Sequence, residues 1–290
     1  MKPLKLRLQA SSSILGINIQ VVEKDYALTY ILAGIANEQT LSGSLIFKGG
    51  TALKKLIFGN YRFSEDLDFS TINAPKGDDL EAAVRNAANY TAQLLAEHGP
   101  FTIQVDRYLE RDPHPQGQEA FTIRVQFPWH PSPLCRIKLE INHDEPVILE
   151  PDLRPIIHGY EEEIEAQVRC YRLEEIITEK MRSLLQTHKK LILRGWNRPR
   201  ARDYYDLWRL LQDFEKDIDK ALLPELLLLK CKHKGVSYAE LSDFFTDDLV
   251  SEARTHWDGN LGSFIRDLPV CDTVLDDLRN LLPRYFPGLQ

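Results

Sequence analysis

Residues 45–70 constrain this chain more than any other stretch. Leu45-Ile46-Phe47 is a short apolar run, Gly49-Gly50 ends it, and Thr51 opens a segment that stays helical in pattern until Gly59-Asn60. Asp66-Leu67-Asp68-Phe69-Ser70 then alternates acid and apolar residues. Side chains i and i+2 of a strand share a face. Asp66 and Asp68 therefore stand side by side while Leu67 and Phe69 turn to a core. Adjacent carboxylates repel and raise each other's pKa unless a cation sits between them. A hard divalent ion such as Mg²⁺, which prefers oxygen, is the expected cation. Gly49 and Gly50 let backbone approach a phosphate closely. Thr51 can cap the helix and donate to a phosphate oxygen. Together these elements read as a site for a metal-bound triphosphate.

Further residues can be joined to this pair. In Arg136-Ile137-Lys138-Leu139-Glu140-Ile141 the alternation puts Lys138 and Glu140 on one face. Glu140 is the candidate third metal carboxylate, and an exposed surface strand is the competing reading. Lys54, Lys55 and Arg62 are candidates to offset triphosphate charge. Lys54, one helical turn from Gly50, is favoured over a merely solvated role.

The second half offers two more positions. Lys180 borders the apolar stripe of Leu173, Ile177 and Leu184 on a helix. A lysine there must meet an anion or snorkel to water. Asp203 lies at the start of a helix that also carries Asp206, where an acid favours the helix dipole even without further function. Between them runs the strongest basic cluster, Lys189, Lys190, Arg194, Arg198, Arg200 and Arg202, with no acid among them. Trp196 and Trp208 flank it, and aromatic rings among cations can stack bases.

The spelling Lys48-Gly49-Gly50-Thr51-Ala52-Leu53, then Arg62-Phe63-Ser64-Glu65-Asp66-Leu67-Asp68, resembles the active-site signature of the AbiEii/MenT-like toxins. These form a group within the polymerase β-type nucleotidyltransferase superfamily. Leu173 to Lys180 and Arg200 to Trp208 fit the same group, and the resemblance covers roughly residues 20–215. It implies a metal-dependent nucleotidyltransferase, a growth-inhibiting toxin moving NMP from an NTP to the 3′ end of tRNA, with a separately encoded antitoxin. It implies Asp66, Asp68, Lys180 and Asp203 as catalytic residues. It implies Gly49, Gly50, Thr51, Lys54, Arg62 and Ser64 around the nucleotide. Asp66, Asp68 and Glu140 would hold Mg²⁺, and Lys189, Lys190 and Arg194 would contact RNA. Asp203 is left with several roles: orienting Lys180, binding base or ribose, or assisting proton transfer. The alternatives are nucleotidylation of a protein or small molecule, and a non-catalytic nucleotide- or antitoxin-binding module.

The order of patterns gives an α+β chain. A helix over 21–36, strands near 45–47, 67–70, 101–105, 121–127 and 135–141, and a helix over 78–97 make a mixed-sheet nucleotidyltransferase domain, residues 1–155. A turn is expected at 112–117. The proline-punctuated stretch Glu150 to Pro155 marks its end. Residues 156–290 form a helical domain, with helices expected at 173–187, 201–214, 216–231, 237–251 and 271–282. The net charge of −7 argues against a protein that coats nucleic acid without specificity. The four cysteines are scattered with no Cys-x-x-Cys pair, which suggests neither zinc site nor disulfide framework. No apolar run nears the roughly 20 residues of a membrane span, and the first residues lack a signal core, so a cytoplasmic location is expected.

Overall fold

In a computed structural model, residues 2–108 and 117–289 are described. The chain divides into two compact units, Met1–Tyr171 and Arg172–Gln290. The first is built on one mixed sheet of β1 (Leu45–Lys48), β2 (Asp66–Thr71), β3 (Thr102–Arg107), β4 (Gln118–Gln126), β5 (Cys135–Asn142), β6 (Asp152–Pro155) and β7 (Gln167–Cys170). Their spatial order is β3-β4-β5-β2-β1-β7-β6. The alternation read in the sequence is real. In β2, Leu67 and Phe69 are buried while Asp66 and Asp68 are half-buried, and in β5 Ile137, Leu139 and Ile141 are buried while Lys138 and Glu140 are not.

The helices of this unit are α1 (Leu4–Leu15), α2 (Ile19–Asn37), α3 (Gln39–Ser44), α4 (Gly49–Ala52) and α5 (Gly77–Leu95). α2 starts where the side chain of Asn18 accepts from the Gln20 backbone N–H at 2.8 Å, satisfying one of the free helix-end donors. It is buried along nearly its whole length, packed against α1, α5 and strands β5 and β7. Gly34 allows that approach, because a side chain there would collide with Ala87 and Thr91 of α5. Phe47 and Phe69 stack across β1 and β2 with ring centroids 4.8 Å apart. The sheet thus has an apolar face and a charged one.

The second unit is helical: α6 (Leu173–Arg194), α7 (Ala201–Asp213), α8 (Leu223–His233), α9 (Asp247–Leu261) and α10 (Cys271–Tyr285). α6 packs on α7 and α8, and α7 packs on α9 and α10. Two polar contacts between its helices show the pairing that burial favours. Lys230 of α8 pairs with Glu175 of α6 at 2.8 Å, both essentially without exposure. Trp208 of α7 donates to Asp277 of α10 at 2.9 Å. The four cysteines are buried and free.

Several sequence expectations need adjustment. α1, β6 and β7 carry too little apolar periodicity to be seen. β7 pairs with β1 through Phe47 and Cys170, so the compact sheet unit runs to Tyr171 instead of ending at 155. The helix expected over 216–231 begins only at Leu223. The one expected over 237–251 is broken: Leu241–Phe245 is a 3₁₀ turn, Thr246 is extended, and α9 starts at Asp247. Glu240 and Asp243 form a capping box there that stops the pattern from running on. The turn expected at 112–117 lies, apart from Gly117, outside the described residues. Among the described residues no helix is long and apolar enough to cross a membrane.

Candidate active site

The charged face of the first unit is organised by strand register. Lys48 of β1 is opposite Asp68 of β2, and Asp68 is opposite Glu140 of β5. Asp66 is opposite Lys138. Register partners point to the same side of a sheet, so three carboxylates and two lysines share one small area. Lys138 Nζ lies 2.6 Å from Glu140 Oε1, and Gln118 Nε2 donates to the same oxygen at 3.2 Å. Burial, then repulsion from Glu140 and from Asp66, pushes the Asp68 carboxyl up to about 7, while Lys48 pulls the other way. Lys48 is the residue that the sequence reading passed over as a cation of the site. Its ammonium also stands 5.5 Å from the Tyr171 ring centroid.

The turn after β1 brings backbone to these acids. Gly49 adopts φ +79°, and a Cβ built on it would lie 2.5 Å from Asp68 Oδ2. Only glycine fits both the conformation and the contact. Gly49→Ala is expected to cost about 1–3 kcal/mol of stability from the left-handed backbone alone. It would also push Asp68 away. Urea denaturation alongside a transfer assay checks this, and an unchanged midpoint would show the turn tolerates a side chain. Gly50 is in close approach to the guanidinium of Arg62, which is 4% exposed. Arg62 also donates to the carbonyl of Phe63 at 3.3 Å.

Three residues expected around the nucleotide turn out to be engaged in or near this turn. Thr51 is buried and donates to the carbonyl of Asp66 at 2.5 Å, fixing the start of β2 against α4. Lys54 is buried, with Nζ 3.3 Å from the Tyr61 carbonyl and 4.2 Å from the Phe63 ring centroid. Ser64 is half-buried in the segment leading to Asp66. Lys55, the neighbour of Lys54, is sealed in the interior 2.7 Å from Asp25, where burial holds its pKa down to about 8. A π-helical stretch, Leu53–Phe58, continues α4 and aims these lysines.

The fit of this face to a metal is limited in a definite way. Among the described residues no group of three or more His, Cys, Asp or Glu side chains is arranged to hold an ion. Glu140 is instead taken up by Lys138 and Gln118. Mg²⁺, however, is usually bound through one or two carboxylates together with substrate phosphates and water. The Asp66–Asp68 pair fits that need. Burial first and then the neighbouring Glu140 and Asp66 make the Asp68 carboxyl hard to ionise, and a cation held there would reverse that.

The second unit holds its own ionic cluster. Lys180 Nζ lies 2.9 Å from Asp203 Oδ1 and 2.6 Å from Asp206 Oδ2. Asp206 is fully buried, while Asp203 keeps some exposure and is also met by Arg200 at 3.4 Å. The lysine therefore does not snorkel: two carboxylates on successive turns of α7 fix it. Asp206 was visible in the sequence as a helix neighbour of Asp203, but its pairing with Lys180 was not. Arg200 Nε is braced on the Thr187 hydroxyl at 2.9 Å. Of the three proposed RNA contacts, Lys189 donates to the Gly235 carbonyl at 2.8 Å, whereas Arg194 is exposed and Lys190 half-buried.

Comparison with known proteins is consistent with these features. The family described as "Nucleotidyl transferase AbiEii toxin, Type IV TA system" matches residues 30–281. Among solved structures, the fold is similar to that of MenT4, a nucleotidyltransferase toxin from Mycobacterium tuberculosis H37Rv. The TM-score is 0.63 at 22% identity, over 94% of this chain and 85% of that one. No curated protein sequence matches.

Proposed function

Because the chain belongs to the AbiEii family of nucleotidyltransferase toxins of type IV toxin–antitoxin systems, we propose that it moves a nucleoside monophosphate from an NTP to the 3′ end of tRNA in the cytoplasm, with Mg²⁺. A separately encoded antitoxin would counter it. The observation that carries the reading is the row Lys48–Asp68–Glu140 across three strands, with Asp66 beside it and the Gly49–Gly50 turn against it. Asp66 and Asp68 would hold the ion, which when bound supplies charge neutralisation at the reacting phosphate and the departing pyrophosphate.

The chain's own groups do the rest. Lys48 and Arg62 bring positive charge to the turn, and Lys54 stands buried beside them with its ammonium at the Tyr61 carbonyl. Gly49 and Gly50 admit the phosphates to the backbone. Glu140, held by Lys138, keeps Asp68 in place through their shared hydrogen bond. In the family resemblance Lys180 and Asp203 belong to the same chemistry, and the 2.9 Å contact supports Asp203 as the group that orients Lys180. Phosphoryl transfer depends on alignment and charge more than on a covalent group, which suits a site built of carboxylates and fixed cations. Lys190 and Arg194 are the cations proposed to meet RNA.

The test is to incubate the protein with each labelled NTP, Mg²⁺ and total RNA. Label in RNA of tRNA length, abolished by EDTA, is the expected result. Label on protein alone would move the acceptor to a polypeptide. No label in any acceptor, or full labelling in EDTA, would overturn the proposal.

A further inference from the structure

We infer that the solvent-facing end of α6 and the turn after it form a stacking platform for a single-stranded stretch of RNA, with Trp196 as the ring on which a base lies. The inference rests on the reading that the acceptor is RNA and adds to it the residue and the strand state recognised. α6 outruns its packing in its last turn: Ile192 is 68%, Leu193 69% and Trp196 69% exposed. Gly195, in the left-handed conformation at φ 73°, ends the helix and sets Trp196 just beyond it. Ile192 and Leu193 also line a 570 Å³ cavity with Val236 and Tyr238, whose wall is tied by the Lys189–Gly235 hydrogen bond.

Charge decides the occupant. Lys190 and Arg194 are one helical turn apart on one face of α6, with Leu193 at the edge of that face and Ile192 on the opposite side. No acid interrupts the segment from Lys189 to Arg202. Burial and then the nearby Arg200, Arg194 and Arg182 lower the pKa of Lys190, so cations are crowded here. A phosphate relieves that crowding, and an aromatic ring beside it accepts any base on its π-face. The exposed Trp196 ring, two residues beyond Arg194, together with these cations matches a strand that offers bases and phosphates together. A duplex, with its bases stacked inside, offers the phosphates alone.

The test uses the full-length protein without NTP. A single-stranded oligouridylate is titrated, and the signal is the emission of wild type minus that of Trp196→Phe. Quenching is expected with the single strand and not with duplex RNA of the same length. Trp196→Ala and Trp196→Leu should bind roughly 5- to 150-fold more weakly, and Trp196→Phe should recover most of the affinity. Lys190→Gln and Arg194→Gln should each shallow the salt dependence by about 0.7 of a slope unit. Wild-type affinity in Trp196→Ala overturns the inference. So does full affinity in Trp196→Leu, which makes the surface merely apolar, or binding of phosphatidylglycerol vesicles in place of RNA. If wild type binds neither this strand nor any cellular RNA, the RNA acceptor itself is rejected.

Discussion

Asp68→Asn is expected to lower nucleotidyl transfer by roughly a thousandfold or more, since the metal-borne stabilisation it removes is worth several kcal/mol. The same change should not weaken the fold. Folded Asp68 titrates at about 7, above the ordinary 3.8, so the folded state holds this proton more tightly than the unfolded state does. Its contribution to stability is therefore greatest below about pH 4 and is lost as pH rises through 7. Asparagine cannot ionise, so the variant should melt at least as high as metal-free wild type at pH 8. Added Mg²⁺ should raise the melting temperature of wild type, because an ion bound only by the folded state stabilises it. It should leave Asp68→Asn nearly unmoved. Thermal scans at pH 5 and 8, with Mg²⁺ and with EDTA, measure all of this. Wild-type transfer by the variant, or an equal Mg²⁺ response in both proteins, would take Asp68 out of the metal site.

The charged face was legible because a strand repeats every two residues. Asp66-Leu67-Asp68-Phe69 and Lys138-Leu139-Glu140-Ile141 declare their faces by local alternation alone. Lys48 was not legible as the neighbour of Asp68, because that relation needs the β1–β2 register, which no local pattern carries. The surroundings of Lys54 were not legible for a different reason. Its expected aim toward the phosphates assumed α-helical spacing from Gly50, but the chain takes a wider π-helical turn over Leu53–Phe58, which brings Lys54 to the Tyr61 carbonyl. The end of the first unit was placed too early because Pro151 and Pro155 read as a linker. Pro155 instead closes the four-residue strand β6, paired with an equally short β7 whose other neighbour, β1, lies more than a hundred residues earlier. In the helical unit, Lys180 and Asp203 stood out by position on their helices. The depth of Asp206 beneath them depends on how α6 and α7 pack.

That depth changes what a growth experiment can prove. Wild-type protein produced in bacteria without its antitoxin is expected to arrest growth, and Lys180→Ala is expected to abolish the arrest. The second result alone would not show that chemistry is the cause. Without Lys180, Asp206 is left as a buried charge with its closest cation gone, and breaking a buried pair in this way costs about 3–5 kcal/mol. Against a total stability of roughly 5–15 kcal/mol, that loss lowers the amount of folded protein. Asp203→Asn separates the two causes. It keeps the 2.6 Å contact between Lys180 and Asp206 and removes a charge from the more exposed partner. Asp203→Asn should therefore accumulate to wild-type soluble levels, lose transfer by roughly a hundredfold as preorganised electrostatic groups do, and let cells grow. Quantitative blots, transfer rates and growth curves for wild type, Lys180→Ala, Asp203→Asn and Asp68→Asn measure each step. Arrest by Asp68→Asn at matched levels would mean that the toxicity does not come from nucleotidyl transfer. Full arrest and full transfer by Asp203→Asn would confine Asp203 to a structural part.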